Sequence, residues 1–186
     1  MTRNNAIRRK IQLQGLPLFV KYGYNGVTMD QIAEAVGIAK STIYYSYFKG
    51  KLDLAKSIIV DELYIFLESM NQLSDLNGLE PTVIGRNMIN AWITHLEENK
   101  LFWQMLFQSM TEPQVSEVIK TDYKEVYKKI TEITSLLFTQ SGTADPDKRA
   151  SLLLATIDGM MYQFLFTDHN SDLEKIKEYM IQFYKI

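Results

Sequence analysis

Residues 27–45, VTMDQIAEAVGIAKSTIYY, favour one local structure above others, two short helices crossing at a tight turn. Thr28 can cap the first helix and Gln31, three residues on, can reach back to it, so that two otherwise orphaned N–H groups are satisfied reciprocally. Ile32, Ala33 and Val36 share the buried face of that helix, and Ala33 is small enough to let a second helix cross close by. Gly37 supplies the positive φ that an abrupt helix exit requires. Ile38 and Ile43 turn back onto the first helix, which leaves Lys40, Ser41, Thr42, Tyr44 and Tyr45 facing outward. Ala39 has no side-chain oxygen, so the second helix starts with a poorer cap. A helical hairpin alone names no partner.

The charge distribution narrows the choice. Residues 1–56 hold nine Lys or Arg against three acids, a net of +6, whereas the remaining 130 residues hold 11 against 19, a net of −8. A chain with a formal net charge of −2 therefore carries a basic head on an acidic body. A solvated charged surface mixes its signs; a segregated basic end points to a polyanion bound there, and the exposed donors and acceptors of residues 40–45 suit the floor of a DNA major groove.

With these features together, residues 8–54 resemble the DNA-binding domain of the TetR (tetracycline repressor) family. The landmarks are Ile11, Phe19, Gly23-Tyr24, Thr28, Ile32-Ala33, Gly37-Ile38, Thr42-Ile43-Tyr44, Tyr47-Phe48, Lys51 and Leu54. The resemblance implies a three-helix domain whose third helix reads bases, with Thr28, Lys51 and the aromatic before Phe48, here Tyr47, on the DNA backbone. Three residues, Tyr45-Ser46-Tyr47, separate Tyr44 from Phe48 where the family usually has two, so either Tyr44 or Tyr45 can be the family tyrosine. Gly15 and Pro17 fall inside the first helix, and a mid-helix proline removes a backbone bond and crowds the preceding turn, which predicts a kink or break near residues 13–17.

Past residue 50 the pattern is helical throughout. Leu54, Ala55, Ile58, Ile59, Ile65 and Phe66 recur at helical spacing within residues 51–73. Pro81, Pro113 and Pro146 each stand at a first-turn position, where proline is tolerated, and open segments running to about residues 99, 140 and 167; a shorter apolar piece covers 101–110. Ser171 with Glu174 is expected to cap the last helix. The fold class is all-α, divided into an N-terminal helix-turn-helix domain, 1–50, and a C-terminal helical domain, 51–186, for effector binding and dimerisation.

In the last segment Ile176, Tyr179, Met180, Phe183 and Tyr184 form one apolar face. The segment before it, with Leu152, Leu153, Ile157, Met160, Met161, Phe164 and Leu165, is apolar on more than one side and needs cover from its own domain and from a second chain, with Gly159 permitting close approach. The family resemblance implies a homodimer built from these two helices, and Leu153, Ile157, Met160, Phe164, Ile176, Met180 and Phe183 are the expected interface. A symmetric helix-turn-helix dimer sets two heads one DNA turn apart on a palindromic operator.

Between head and interface lies a concentration of aromatic and methionine side chains, with Asn87, Asn90, Thr94, Gln104 and Gln108 interspersed. Apolar walls with a few placed polar groups are what a small-molecule site needs. Tyr64, Met88, Trp92, His95, Trp103, Phe107, Tyr123 and Tyr127 are the candidate ligand residues, and the resemblance implies an apolar or aromatic effector there. Residues 51–73, which join head to pocket region, would transmit its binding.

Catalytic patterns are missing. The two histidines, His95 and His169, lie in separate segments; there is no Glu-x-x-His, no Gly-x-Ser-x-Gly and no phosphate-binding loop. No catalytic residue, metal or cofactor is expected. The absence of cysteine suits a reducing cytoplasm, and neither a signal peptide nor an uninterrupted membrane-length apolar run is present. The sequence thus reads as a cytoplasmic, ligand-responsive transcription regulator, probed against the alternative of a helical adaptor or small-molecule carrier with a vestigial helix-turn-helix.

Overall fold

The computed structural model describes residues 3–74, 78–167 and 172–186. Among these residues there are nine helices and no strand: α1 (Arg3–Gly26), α2 (Met29–Val36), α3 (Lys40–Ser46), α4 (Lys51–Ser74), α5 (Pro81–Glu98), α6 (Lys100–Met110), α7 (Pro113–Gln140), α8 (Pro146–Phe166) and α9 (Leu173–Tyr184). The all-α expectation holds. Pro81 and Pro146 occupy the first turns of α5 and α8, and Pro113 begins α7. Each of these helices starts where the missing N–H leaves no bond unmade.

The helices form two compact units, residues 1–63 with 101–123, and residues 64–100 with 124–186. In the first unit Ile11, Phe19, Ile32, Ile43, Phe48, Leu54 and Ile59 are fully buried. Gly15 is buried too, with the side chains of Leu54, Ile58 and Phe19 within 3.5 to 3.7 Å of where its Cβ would stand. A larger residue would press α1 away from α4.

The break expected at residues 13–17 is absent. Pro17 lies within α1, and the non-helical backbone falls at Gly23 (φ 69°, ψ 167°). Pro17 and Leu13, whose carbonyl loses its helical partner, are both on the exposed side, where water replaces the missing bond. At Gly23 the positive φ is available because no Cβ opposes it.

In the second unit Phe66, Met70, Leu96, Phe138, Ala150 and Leu154 are buried. Gly85 on α5 fixes the approach of the chain after α9: a Cβ there would come within 2.6 Å of the Ile186 Cβ. Ile65, expected on the apolar stripe of α4, is instead exposed. Asp172 caps α9 by accepting from Lys175 N at 3.2 Å, while Ser171, expected in that role, and His169 lie outside the described residues.

Candidate nucleic-acid interface and effector region

The α2–α3 hairpin is built as its sequence dictates. Thr28 Oγ1 accepts from Gln31 N at 3.3 Å and Gln31 Oε1 accepts from Thr28 N at 2.8 Å, closing the capping box. Gly37 ends α2 in the left-handed region, φ 77°, and donates to the Ala33 and Glu34 carbonyls. Ala39 makes no side-chain cap. Ile43 is fully buried, so α3 is pinned by one apolar anchor and turns the rest of its short surface outward.

Lys40, Ser41, Thr42, Tyr44 and Tyr45 are all exposed, and Tyr47 is half-buried. The two tyrosines differ. Tyr44 is 39% exposed and its ring edge lies 3.9 Å from a Cβ position on Gly50, whereas Tyr45 is 90% exposed. Lys40 Nζ donates to Asp30 Oδ2 at 2.8 Å, which ties the start of α3 to the first turn of α2 and raises the lysine pKa.

The basic residues of the head largely hold the head together. Lys51 Nζ donates to the carbonyls of Tyr24 at 2.7 Å and Val27 at 2.8 Å and lies 4.4 Å from the centre of the Tyr24 ring. The Tyr24 carbonyl lies in the last turn of α1, which a helix C-terminus leaves without an intrahelical donor, and the Val27 carbonyl follows the helix. Lys10 Nζ donates in the same way to the Val36 carbonyl at 2.8 Å, at the end of α2. Arg8 donates to the Tyr47 carbonyl at 3.3 Å, stacks over Phe48 at 4.5 Å and pairs with Asp61 at 3.7 Å. Arg9 pairs with Glu62 and Lys56 with Asp122, each at 3.1 Å.

Five of the eight candidate ligand residues, Tyr64, Met88, Trp92, His95 and Tyr127, fall in the second unit, and Trp103, Phe107 and Tyr123 fall in the first. Within the second unit Phe66 meets Trp92 edge-on at 4.9 Å and His95 at 4.8 Å, and Trp92 Nε1 lies 3.2 Å from Met161 Sδ. Tyr64 donates to Glu125 at 3.3 Å on the exposed side. Asn90, on the same helix as Trp92 and His95, has a buried Oδ1 with no hydrogen-bond partner. Thr94 and Gln108, expected among the buried polar groups, are exposed.

Along α8 and α9 the seven expected interface residues differ in exposure. Leu153, Ile157, Met160 and Met180 are buried within the chain itself, and Phe164 and Ile176 are partly covered; of the seven expected residues only Phe183 is open, at 61% exposure. The uncovered apolar face consists of Leu152 (63%), Tyr162 (54%), Phe166, Tyr179 (67%) and Phe183, with Gly159 exposed on the same helix as the first three and nothing within 4 Å of its Cβ position. Helical spacing groups residues into faces; it does not say which face the chain covers.

The family model described as bacterial regulatory proteins, tetR family, matches residues 14–58, the segment that carries α2, α3 and their supports. Over these residues the chain is similar to the tetR family. Among relatives, the uncharacterized HTH-type transcriptional regulator YerO of Bacillus subtilis is 29% identical over 138 residues, covering 72% of this chain and 45% of YerO. The chain spans about half the length of curated relatives such as this one, 45% here and 52% for an HTH-type transcriptional activator, FasR. Among solved structures, FadR from Bacillus subtilis in complex with stearoyl-CoA aligns with a TM-score of 0.76 at 20% identity, covering 95% of this chain and 96% of that one. AibR in complex with isovaleryl coenzyme A and operator DNA aligns with a TM-score of 0.71 at 18% identity, over 95% and 97%. At these identities the likeness is one of fold.

Two groups were not singled out by the sequence. Arg8 and Lys10 register in the sequence only as positive charge, and their backbone carbonyl partners are set by the path of the chain. Asp158, an acid in the apolar run of α8, accepts from Tyr127 Oη at 3.5 Å and is half-buried; burial pushes its carboxyl above the usual range, and the Tyr127 bond opposes the rise. Its signal was its position, one charge among apolar neighbours. Among the described residues no helix is long and apolar enough to cross a membrane, and no three His, Asp or Glu side chains converge as metal ligands would.

Proposed function

We propose that this chain is a DNA-binding transcription regulator of the cytoplasm that acts as a homodimer on a palindromic operator and releases it when a small molecule binds. The observation that carries the reading is α3: within the family-matched segment it presents Ser41, Thr42, Tyr44 and Tyr45 to solvent from a scaffold fixed by a capping box and a left-handed glycine. These side chains read bases. Thr28 and Tyr47 contact the sugar-phosphate backbone, and Lys51 works chiefly by holding the end of α1 in place. The head is residues 1–50 and the effector and dimer domain 51–186. Relatives of the chain are transcription regulators, which supports regulation over catalysis.

The dimer face is the open apolar one, Leu152, Tyr162, Phe166, Tyr179 and Phe183, with Gly159 allowing close helix approach. The effector contacts the Phe66, Trp92 and His95 cluster, and the Asn90 Oδ1 receives a hydrogen bond from it. Acyl-CoA thioesters are the first class to test, because FadR and AibR were solved with stearoyl-CoA and isovaleryl coenzyme A. Coupling runs along α4, which carries Lys51 in its first turn and Tyr64 about 20 Å further along. An effector that prefers a different setting of this helix loses on the DNA-bound form the same factor by which it weakens DNA binding.

Fluorescence anisotropy with duplexes from the upstream region of the chain's own gene tests the proposal. The expected result is affinity that falls with salt and falls again, by roughly 5- to 150-fold, on adding the effector. Acyl-CoA binding without duplex affinity at any salt would instead identify a carrier with a vestigial helix-turn-helix.

A further inference from the structure

The first unit holds a cavity of about 320 Å³ where the last turn of α1 passes the junction of α6 and α7. Its floor is apolar: Phe19, Met105 and Val115 line it and are almost wholly buried. Its rim offers acceptors. The Glu112 carboxylate borders the cavity and is met from one side by Asn25 Nδ2 at 2.8 Å. The Val20 carbonyl, one turn before the Gly23 break in α1, accepts from the Gln108 side chain at a long 3.4 Å. Tyr24 forms a wall, stacked on Phe19 with ring centres 6.3 Å apart. The one basic residue on the lining, Lys21, is exposed, and its Nζ lies 4.9 Å from the centre of its neighbour's ring, Tyr22. Glu112 is the one carboxylate on the lining.

We infer that this cavity is a second small-molecule site, separate from the effector cluster of the second unit, and that it takes a primary amine on a short apolar or aromatic body. The ammonium sits on Glu112, exchanging with or adding to the Asn25 contact, and can take the Val20 carbonyl from Gln108. The body fills the space over Phe19, Met105 and Val115. The volume lies at the lower end of the range of ligand sites and suits a molecule of one ring. Three features of the chain converge here that a packing role alone does not require: an interrupted helix, a backbone carbonyl reached only by a long amide bond, and a carboxylate over an apolar floor. The site does not depend on the regulatory reading, since it is defined by contacts within one unit.

Titration calorimetry of the full chain with 2-phenylethylamine is the test, with 2-phenylethanol and 3-phenylpropionate as neutral and anionic counterparts. Saturable binding of the amine is expected, with the alcohol weaker and the acid not bound. Glu112→Gln should weaken the amine by about tenfold or more, the scale of one charge-assisted bond. Gln108→Trp, at an exposed position on the rim, should block the amine and the alcohol alike. Amine binding that survives both substitutions, or no saturable binding to the parent chain at millimolar amine, would overturn the assignment.

Discussion

The α2–α3 hairpin and the α8–α9 pair solve opposite problems with the same helical period. In the hairpin each helix has one apolar stripe, which the chain covers completely: Ile32, Val36 and Ile43 are buried and the remaining face is polar. In α8 two stripes run side by side. The chain covers Leu153, Ile157, Met160 and Met161 and leaves Leu152, Tyr162 and Phe166 uncovered, while α9 adds Tyr179 and Phe183. A helix with one apolar face reports its own burial; a helix with two does not say which of them the chain covers.

Substitutions in α8 and α9 separate the two faces most sharply. Met160→Glu places a carboxylate without a partner in the core, at a cost of several kcal/mol, against a total margin of about 5–15 kcal/mol. Loss of a cooperative thermal transition by circular dichroism is expected. Phe183→Glu should keep that transition and yield a monomer in sedimentation velocity. An unaltered dimer for Phe183→Glu and for Tyr162→Glu would show that the open face is not the interface.

In the head the contrast is between bonded and unbonded cations. Lys51→Ala strips two carbonyls of their donor and is expected to lower urea-derived stability by about 1.5–3 kcal/mol, whereas Lys49→Ala should change it by less than about 0.5. A Lys51→Ala variant as stable as the parent would return this ammonium to a direct role on phosphate. Thr28→Ala opens the capping box and should cost about 1 kcal/mol by the same measurement.

Asp158 supplies a pH test inside α8. Its pKa is raised on folding, so the folded state holds the proton more tightly than the unfolded chain does, and stability declines as pH rises from the ordinary aspartate range, near 4, through the raised value. Asp158→Asn removes this loss. Its melting temperature relative to the parent should therefore climb between pH 4 and 7; a constant difference would mean that the carboxyl is not perturbed. The smallest effect on stability is expected at Tyr45, where Ala should change it by less than about 0.5 kcal/mol yet alter the base preference in anisotropy across a panel of duplexes.

Helix starts were legible because their signals are local. Pro81, Pro113 and Pro146, and the Thr28 and Gln31 pair, act within a turn of their own positions. Pro17 misled because its effect depends on whether water can reach the carbonyl it frees, and the sequence does not state that α1 turns this side outward. The break came at Gly23 instead. For the candidate site, the exposed set on α3 was readable from the hairpin pattern, while the partners of Lys51 were not: two carbonyls 24 and 27 residues earlier come within reach only once the chain has folded. The candidate effector residues share a composition, but the fold divides them between two units.

The stitching of Lys10, Lys51 and Arg8 onto backbone carbonyls bears on how ions would leave the complex. A cation held on the protein's own carbonyls must leave them to reach a phosphate that is not beside it, so the +6 of the head overstates the phosphates it neutralises. With a slope of about −0.9 per phosphate neutralised on a plot of log affinity against log salt, the head in the proposed complex should hold DNA by fewer ionic contacts than it has basic residues. Its grip would fade slowly as ionic strength rises, and its discrimination between sequences would outlast the salt that removes nonspecific binders.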